Sequence, residues 1–135
     1  MKTNWGLFIS TILLIYLPVA LILYTIFLVQ NAGLQIAIYF IYIILLQSFS
    51  SLLSKKFPKI KLFYKLNYGN YYSLSKRNKK VKKLAYTIAL SITVIVLIIL
   101  FFNNWHGVLF AAANSFILIE FFVKFIQCTK FNFEN

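Results

Sequence analysis

Aspartate is absent from this 135-residue sequence, and glutamate occurs only as Glu120 and Glu134. Histidine and cysteine occur once each, as His106 and Cys128, and there are four glycines. Hydrolytic chemistry needs paired carboxylates or a nucleophile beside a base, and a metal centre needs a cluster of His, Cys or carboxylate ligands. Two separated glutamates, one histidine and one cysteine assemble none of these within one chain. The sequence therefore reads as a non-enzyme that carries no metal or other cofactor. Four glycines supply no phosphate-cradling loop, and a single cysteine excludes an intramolecular disulfide framework.

Apolar residues, by contrast, make up 61% of the chain, with a mean hydropathy of +0.83. A soluble domain of this size keeps much of its surface wet and could not hide so much apolar area. The solvent for most of the chain is therefore expected to be lipid. Crossing ~30 Å of hydrocarbon takes about 20 apolar residues, and four runs qualify: residues 7–29, 34–53, 84–102 and 105–125. The first is too long for a signal-peptide core and lacks a small-residue cleavage site, so it reads as a retained helix. Gln30, Asn31, Ala32 and Gly33 link the first two runs, and residues 103–107 link the last two. The expected fold is all-α: one integral membrane domain over residues 1–135, with four transmembrane helices in two helical hairpins.

Fourteen Lys and Arg against two acids give a net charge of +12. Lys2 precedes the first span, eleven basic residues lie in the loop 54–83, and Lys124 and Lys130 lie at or after the end of the fourth span. Four crossings put all of them on one side, and neither link on the other side carries a Lys or Arg. The positive-inside rule makes the basic side cytoplasmic, so both termini are expected inside and the protein in the inner (cytoplasmic) membrane. The outer face then consists of two short turns, and any outside partner must be met at the interface or within the bilayer.

The loop interleaves its charges with Phe57, Phe63, Tyr64, Tyr68, Tyr71 and Tyr72. Basic residues among aromatics also suit nucleic acid. Juxtamembrane Lys and Arg, however, meet anionic lipid at about 1 kcal/mol each, and the membrane reading outweighs nucleic acid. The expected contacts to anionic lipids of the inner leaflet are Lys55, Lys56, Lys76, Arg77, Lys79, Lys80, Lys82 and Lys83. Phe57, Ile60 and Phe63 or Tyr64 recur at helical spacing, as for a short helix lying flat on the leaflet. Asn67, Tyr68, Gly69 and Asn70 read as a turn, and residues 76–83 as a cytoplasmic extension of the third span.

Ionisable and amide groups within spans are functional candidates. Glu120 lies in the inner third of the fourth span, one turn before Lys124, which suits an ion pair snorkelling to the headgroups. Asn114 sits nearer the bilayer middle, and Gln47 forms an inner stripe with Ser51 and Ser54. Gln35, Tyr39 and Tyr42 share another face. Pro18 removes a backbone donor near mid-membrane and leaves a carbonyl one turn earlier seeking a partner. Small residues spaced by four suggest packing stripes at Gly33 and Ala37, at Ala85, Ala89 and Thr93, and at Gly107, Ala111 and Ser115. Trp5 and Trp105 suit interfacial anchors at opposite faces.

In size, in its Lys2 start, in its basic loop and in its near-absent outer face, the chain resembles the immunity proteins of pore-forming colicins and related bacteriocins. The likeness is one of character and transfers no functional residue. It implies a protein that intercepts a toxin's pore-forming helices inside the membrane, helix against helix. The same features suit a subunit of a larger membrane complex, a homo-oligomeric channel or a holin-like pore. A fainter likeness is to small four-helix flippases of polyprenol-linked sugars, which also carry basic-aromatic residues after helices two and four. Here Lys55, Lys56 and Phe57 compare with Lys130, Phe131, Asn132 and Phe133.

Overall fold

A computed structural model describes residues 1–28, 32–69 and 73–134. The described residues are 82% helical and all-α, and among them are four helices long and apolar enough to cross a membrane. They run over Trp5–Ile26, Gly33–Leu53, Lys79–Phe102 and Val108–Gln127. Of the expected turns and loop aromatics, Gln30, Asn31, Asn70, Tyr71 and Tyr72 lie outside the described residues. The chain divides into two compact units, Asn4–Ser73 and a discontinuous one made of Met1–Thr3 with Leu74–Asn135.

In the Asn4–Ser73 unit, the Asn4 side chain accepts the Leu7 N–H at 3.1 Å and caps helix α1 (Trp5–Thr11), a role for which Asn is among the best residues. The helix widens into a π-turn over Ile12–Tyr16 before α2 (Leu17–Leu28) resumes the α ladder. Pro18 is the cause. It has no N–H, and its ring crowds the preceding turn, which one wide turn relieves. The carbonyl of Leu14, four residues earlier, receives the Tyr42 hydroxyl at 2.7 Å. The carbonyl freed by the proline thus finds its partner on the next span.

That next span is α3 (Ala32–Leu53). Gln35, Tyr39, Tyr42 and Leu46 form a half-buried line along it that ends at the buried Ser50. Pro58 at the first position, after an extended Phe57, starts α4 (Pro58–Asn67), where its missing N–H costs nothing. This is the helix anticipated in the basic loop, but it packs on α1 and α3 and buries Phe63 and Leu66. Its apolar side is covered by protein instead of resting on the leaflet, because Phe63 and Leu66 continue a face that the spans can enclose. At its end a Cβ on Gly69 would meet the Lys65 carbonyl oxygen at 3.0 Å and Cα at 3.2 Å, so the turn there tolerates only glycine without a backbone shift.

In the other unit, Asn78 caps α5 (Lys79–Phe102), its side chain accepting the Lys80 N–H at 3.0 Å. The lysines from Lys79 to Lys83 are thus the first turn of the third span. Its far end closes by a Schellman arrangement: Trp105 N–H to the Leu100 carbonyl at 2.8 Å and Asn104 N–H to the Phe101 carbonyl at 3.3 Å, with Asn104 at φ +50° in the left-handed position that Gly or Asn fills. Trp105 and Gly107 follow at φ +61° and +71°. These conformations cannot begin a right-handed helix, so α6 (Val108–Gln127) starts three residues later than the hydropathy suggests.

Val81, Ala85 and Ile126 form a buried cluster between α5 and α6, with Leu74, Ile88 and Phe131 against it. Along α5 the inward line continues through Ile92 and Val96 to the buried Leu100. Of the small-residue stripe expected on this helix, Ala85 belongs to that line, whereas Thr93 is exposed. Gly33, Ala37 and Gly107 are exposed as well. Beyond α6 the chain forms a short antiparallel ribbon, β1 (Lys2–Thr3) on β2 (Thr129–Lys130), with Lys2 opposite Lys130 and Thr3 opposite Thr129.

Candidate functional site

The densest polar cluster lies at the base of the α5–α6 unit and centres on Arg77, the chain's one arginine. Its Nε and Nη2 donate to the two Glu134 carboxylate oxygens at 2.8 Å each. Nη2 also donates to the Thr129 carbonyl at 2.8 Å, and Nη1 to the Ile126 carbonyl at 3.2 Å. Ile126 is in the last turn of α6, where carbonyls lack helical partners and the helix dipole favours a cation. Only a planar guanidinium can grip a carboxylate bidentately and cap a helix end at once. The Arg77 hydrogen bond is the main reason that the Glu134 carboxyl is held below its ordinary range. The Phe131 N–H, donating to Glu134 at 2.8 Å, adds to this.

Around this clamp, the Thr3 and Thr129 hydroxyls meet at 3.0 Å, Thr129 donates to the Phe125 carbonyl at 2.8 Å, and the N-terminal ammonium donates to Asn132. Cys128 is buried beside them, and burial pushes its thiol up to about 11. So little thiolate at neutral pH makes it a poor nucleophile. Sequence reasoning placed Arg77 among lipid-contacting cations. The available signal was arithmetic: one arginine and two acids leave few possible forks.

The Asn4–Ser73 unit holds the second cluster. Thr11 is fully buried; it donates to the Leu7 carbonyl at 2.9 Å and accepts from the Asn67 amide at 3.2 Å, which also reaches the Phe63 carbonyl at 3.1 Å. This pair ties the end of α4 to α1. Nearby, the Tyr68 phenol interacts electrostatically with Tyr42 and Tyr39, bringing the end of α4 to the middle of α3. The Tyr68 hydroxyl and the Gln35 carbonyl oxygen are enclosed and have no hydrogen-bond partner among the described residues.

A groove of about 620 Å³ opens beside that cluster, lined by α1, the π-turn, α3 and α4. Leu7, Leu14, Leu46, Phe49 and Phe63 form its apolar walls. Lys59, from the first turn of α4, stands at the end where α1 starts and α3 stops.

The expected site residues are spread over both units. Lys79, Lys82 and Lys83 share one face of α5 with Tyr86 and Thr87 and line a shallow concavity of about 400 Å³. Lys55, Lys56, Lys76 and Lys80 are exposed. Glu120 and Lys124 are both half-buried on α6, and the two charges interact. Asn114 is half-buried and donates to the Phe110 carbonyl of its own helix at 2.8 Å. Gln47 is exposed; the buried polar residue at this end of α3 is Ser50, one turn on and to the other side of Gln47 from the expected Ser51. No family model, curated protein or solved structure matches the chain.

Hydroxyls and amides within the spans are mostly satisfied on their own helices. Thr25, Ser48, Ser91, Thr93, Asn114 and Ser115 each donate to a carbonyl three or four residues earlier. Such groups need neither water nor a neighbouring helix.

Proposed function

We propose that the protein is a protective, immunity-type component of a bacterial cytoplasmic membrane. Its spans meet the helices of another membrane protein inside the bilayer, and the pore-forming segment of a bacteriocin-type toxin is the partner it intercepts. The observation that carries this reading is the apolar surface the spans present. Only 6–17% of the most apolar stretch of each span is buried, and side chains such as Leu90, Phe102, Leu109 and Phe116 are more than 60% exposed. Large apolar faces of this kind can be matched only by lipid or by other helices. The self-satisfied hydroxyls favour this reading over a channel or flippase, which needs a polar path.

The topology in this proposal is two hairpins with both termini cytoplasmic. The pairing of Lys2–Thr3 with Thr129–Lys130 supports placing the two ends on one side. The basic start of α5 supports making that side the positive, inner one.

The test is expression of the full chain in a sensitive bacterium, challenge with a panel of pore-forming bacteriocins, and recording of membrane potential. Protection that survives Glu120→Ala and fails when Leu90, Leu109 and Phe116 are changed to Ala together is the expected result. Potential that falls on expression alone, without protection, would replace this reading with a pore.

A further inference from the structure

We propose that the groove beside α4 is a binding site for a single anionic phospholipid, with one acyl chain between α1 and α3 and the phosphate at Lys59. The polar groups that line the groove are occupied on their own helices. Ser10 donates to the Leu7 carbonyl at 3.0 Å, Ser50 to the carbonyls of Leu46 and Gln47, and Asn4 accepts the Leu7 N–H. What they present to the interior is therefore apolar, and the ligand portion that enters must be apolar too. A volume of about 620 Å³ lies inside the ~300–1,000 Å³ range of small-ligand pockets.

Its length matches one lipid tail. The walls run along α1 from Asn4 to Leu14, about 15 Å at 1.5 Å per residue, which is half of a ~30 Å hydrocarbon core and so the depth of one leaflet. Only one end carries charge, and that end holds Lys59.

The counter-charge has to come from outside this unit. Residues 4–73 contain Lys55, Lys56, Lys59, Lys61 and Lys65 and no Asp or Glu. Both acids of the chain lie in the other unit beside basic residues of their own, Glu134 in the Arg77 fork and Glu120 with Lys124. An apolar slot one leaflet deep, with an uncompensated ammonium at its rim, fits an acyl chain that carries an anionic headgroup. This site does not depend on any toxin or partner protein.

The experiment is native mass spectrometry of the full chain released from vesicles of equimolar phosphatidylglycerol and phosphatidylcholine. The wild type is expected to retain one phosphatidylglycerol per chain in preference to phosphatidylcholine. Lys59→Gln is expected to reduce that preference about fivefold, the effect of one interfacial lysine, whereas Lys61→Gln, exposed on the same helix and outside the groove lining, leaves it unchanged. Gly6 lines the groove, and a Cβ there meets only the Asn4 side chain at 3.9 Å. Gly6→Phe therefore fills the slot without disturbing the backbone and abolishes retention of both lipids. Equal retention of the two lipids by the wild type, no retention at all, or an unchanged preference in Lys59→Gln would overturn the proposal. A dimer that Gly6→Phe dissolves, with no lipid carried, would overturn it in favour of a second copy of the chain.

Discussion

Removing Arg77 is expected to loosen the base of the α5–α6 unit, and Cys128 reports the loosening. Arg77→Ala deletes four hydrogen bonds and leaves the Glu134 carboxylate with only the Phe131 N–H and the charge of Lys130, and the Ile126 and Thr129 carbonyls without the Arg77 donors. Breaking a fully buried ion pair from one side costs about 3–5 kcal/mol, and an exposed pair is worth about 0–1 kcal/mol. The side chains here are 17% and 10% exposed. We therefore expect about 2–3 kcal/mol, nearer the buried limit. Cys128, the single thiol, is 7% exposed, so a maleimide dye labels it through local opening. At about 1.36 kcal/mol per tenfold, the labelling rate of the full chain in detergent at pH 8 should rise by about 30- to 160-fold. Arg77→Lys keeps the charge and loses the fork, and should fall between. An Arg77→Ala rate within threefold of wild type, with helicity unchanged, would refute the assignment of Arg77 as the clamp.

Three further outcomes follow from the same contacts. Because Glu134 titrates below its ordinary 4.5 in the folded chain, its stabilisation is complete above that value and is lost as the pH falls below it toward the depressed folded pKa; thermal melts should show this acid loss in the wild type and not in Glu134→Gln. Tyr42→Phe should lower stability by about 0.6–1.7 kcal/mol, the range for hydrogen bonds between membrane helices, and the loss should shrink in a Pro18→Ala background, where the restored N–H can serve the Leu14 carbonyl; equal losses in both backgrounds would show that the two are not coupled. Thr11→Val keeps the shape and removes the hydroxyl that Asn67 reaches, leaving its amide with the Phe63 carbonyl alone, at a cost of about 0.5–1.5 kcal/mol for one hydrogen bond, and hydrogen exchange should rise in Pro58–Asn67 before it rises in α5.

Much of the architecture was legible because run length and charge placement are local properties. The four spans, the helix in the basic loop, the basic extension of the third span and the carbonyl freed by Pro18 all stand on a few neighbouring residues. What was illegible depends on residues distant in sequence. Arg77 looks like one more cation in a lysine-rich loop until α6 ends at Gln127 and turns Glu134 back toward it. Ser50 rather than Gln47 is enclosed because α1 and α4 together choose which face of α3 is covered, and hydropathy cannot see that choice. Trp105 reads as apolar and helical, yet its backbone sits in the left-handed region to complete the cap of the preceding helix. The groove is the product of three helices and has no signature in any one of them.

The two-residue ribbon has a consequence in time. Thr3 and Thr129 are 126 positions apart, and at about 5–20 residues per second of synthesis the first strand waits on the order of ten seconds or more for its partner. All four apolar helices are synthesised during that wait, so the ribbon cannot guide the formation of the first of them. It can form only after the whole stretch between its two strands has been made. The ends of the chain thus act as a latch on a finished molecule, and changes there should alter how long the assembled state persists more than how quickly it is reached.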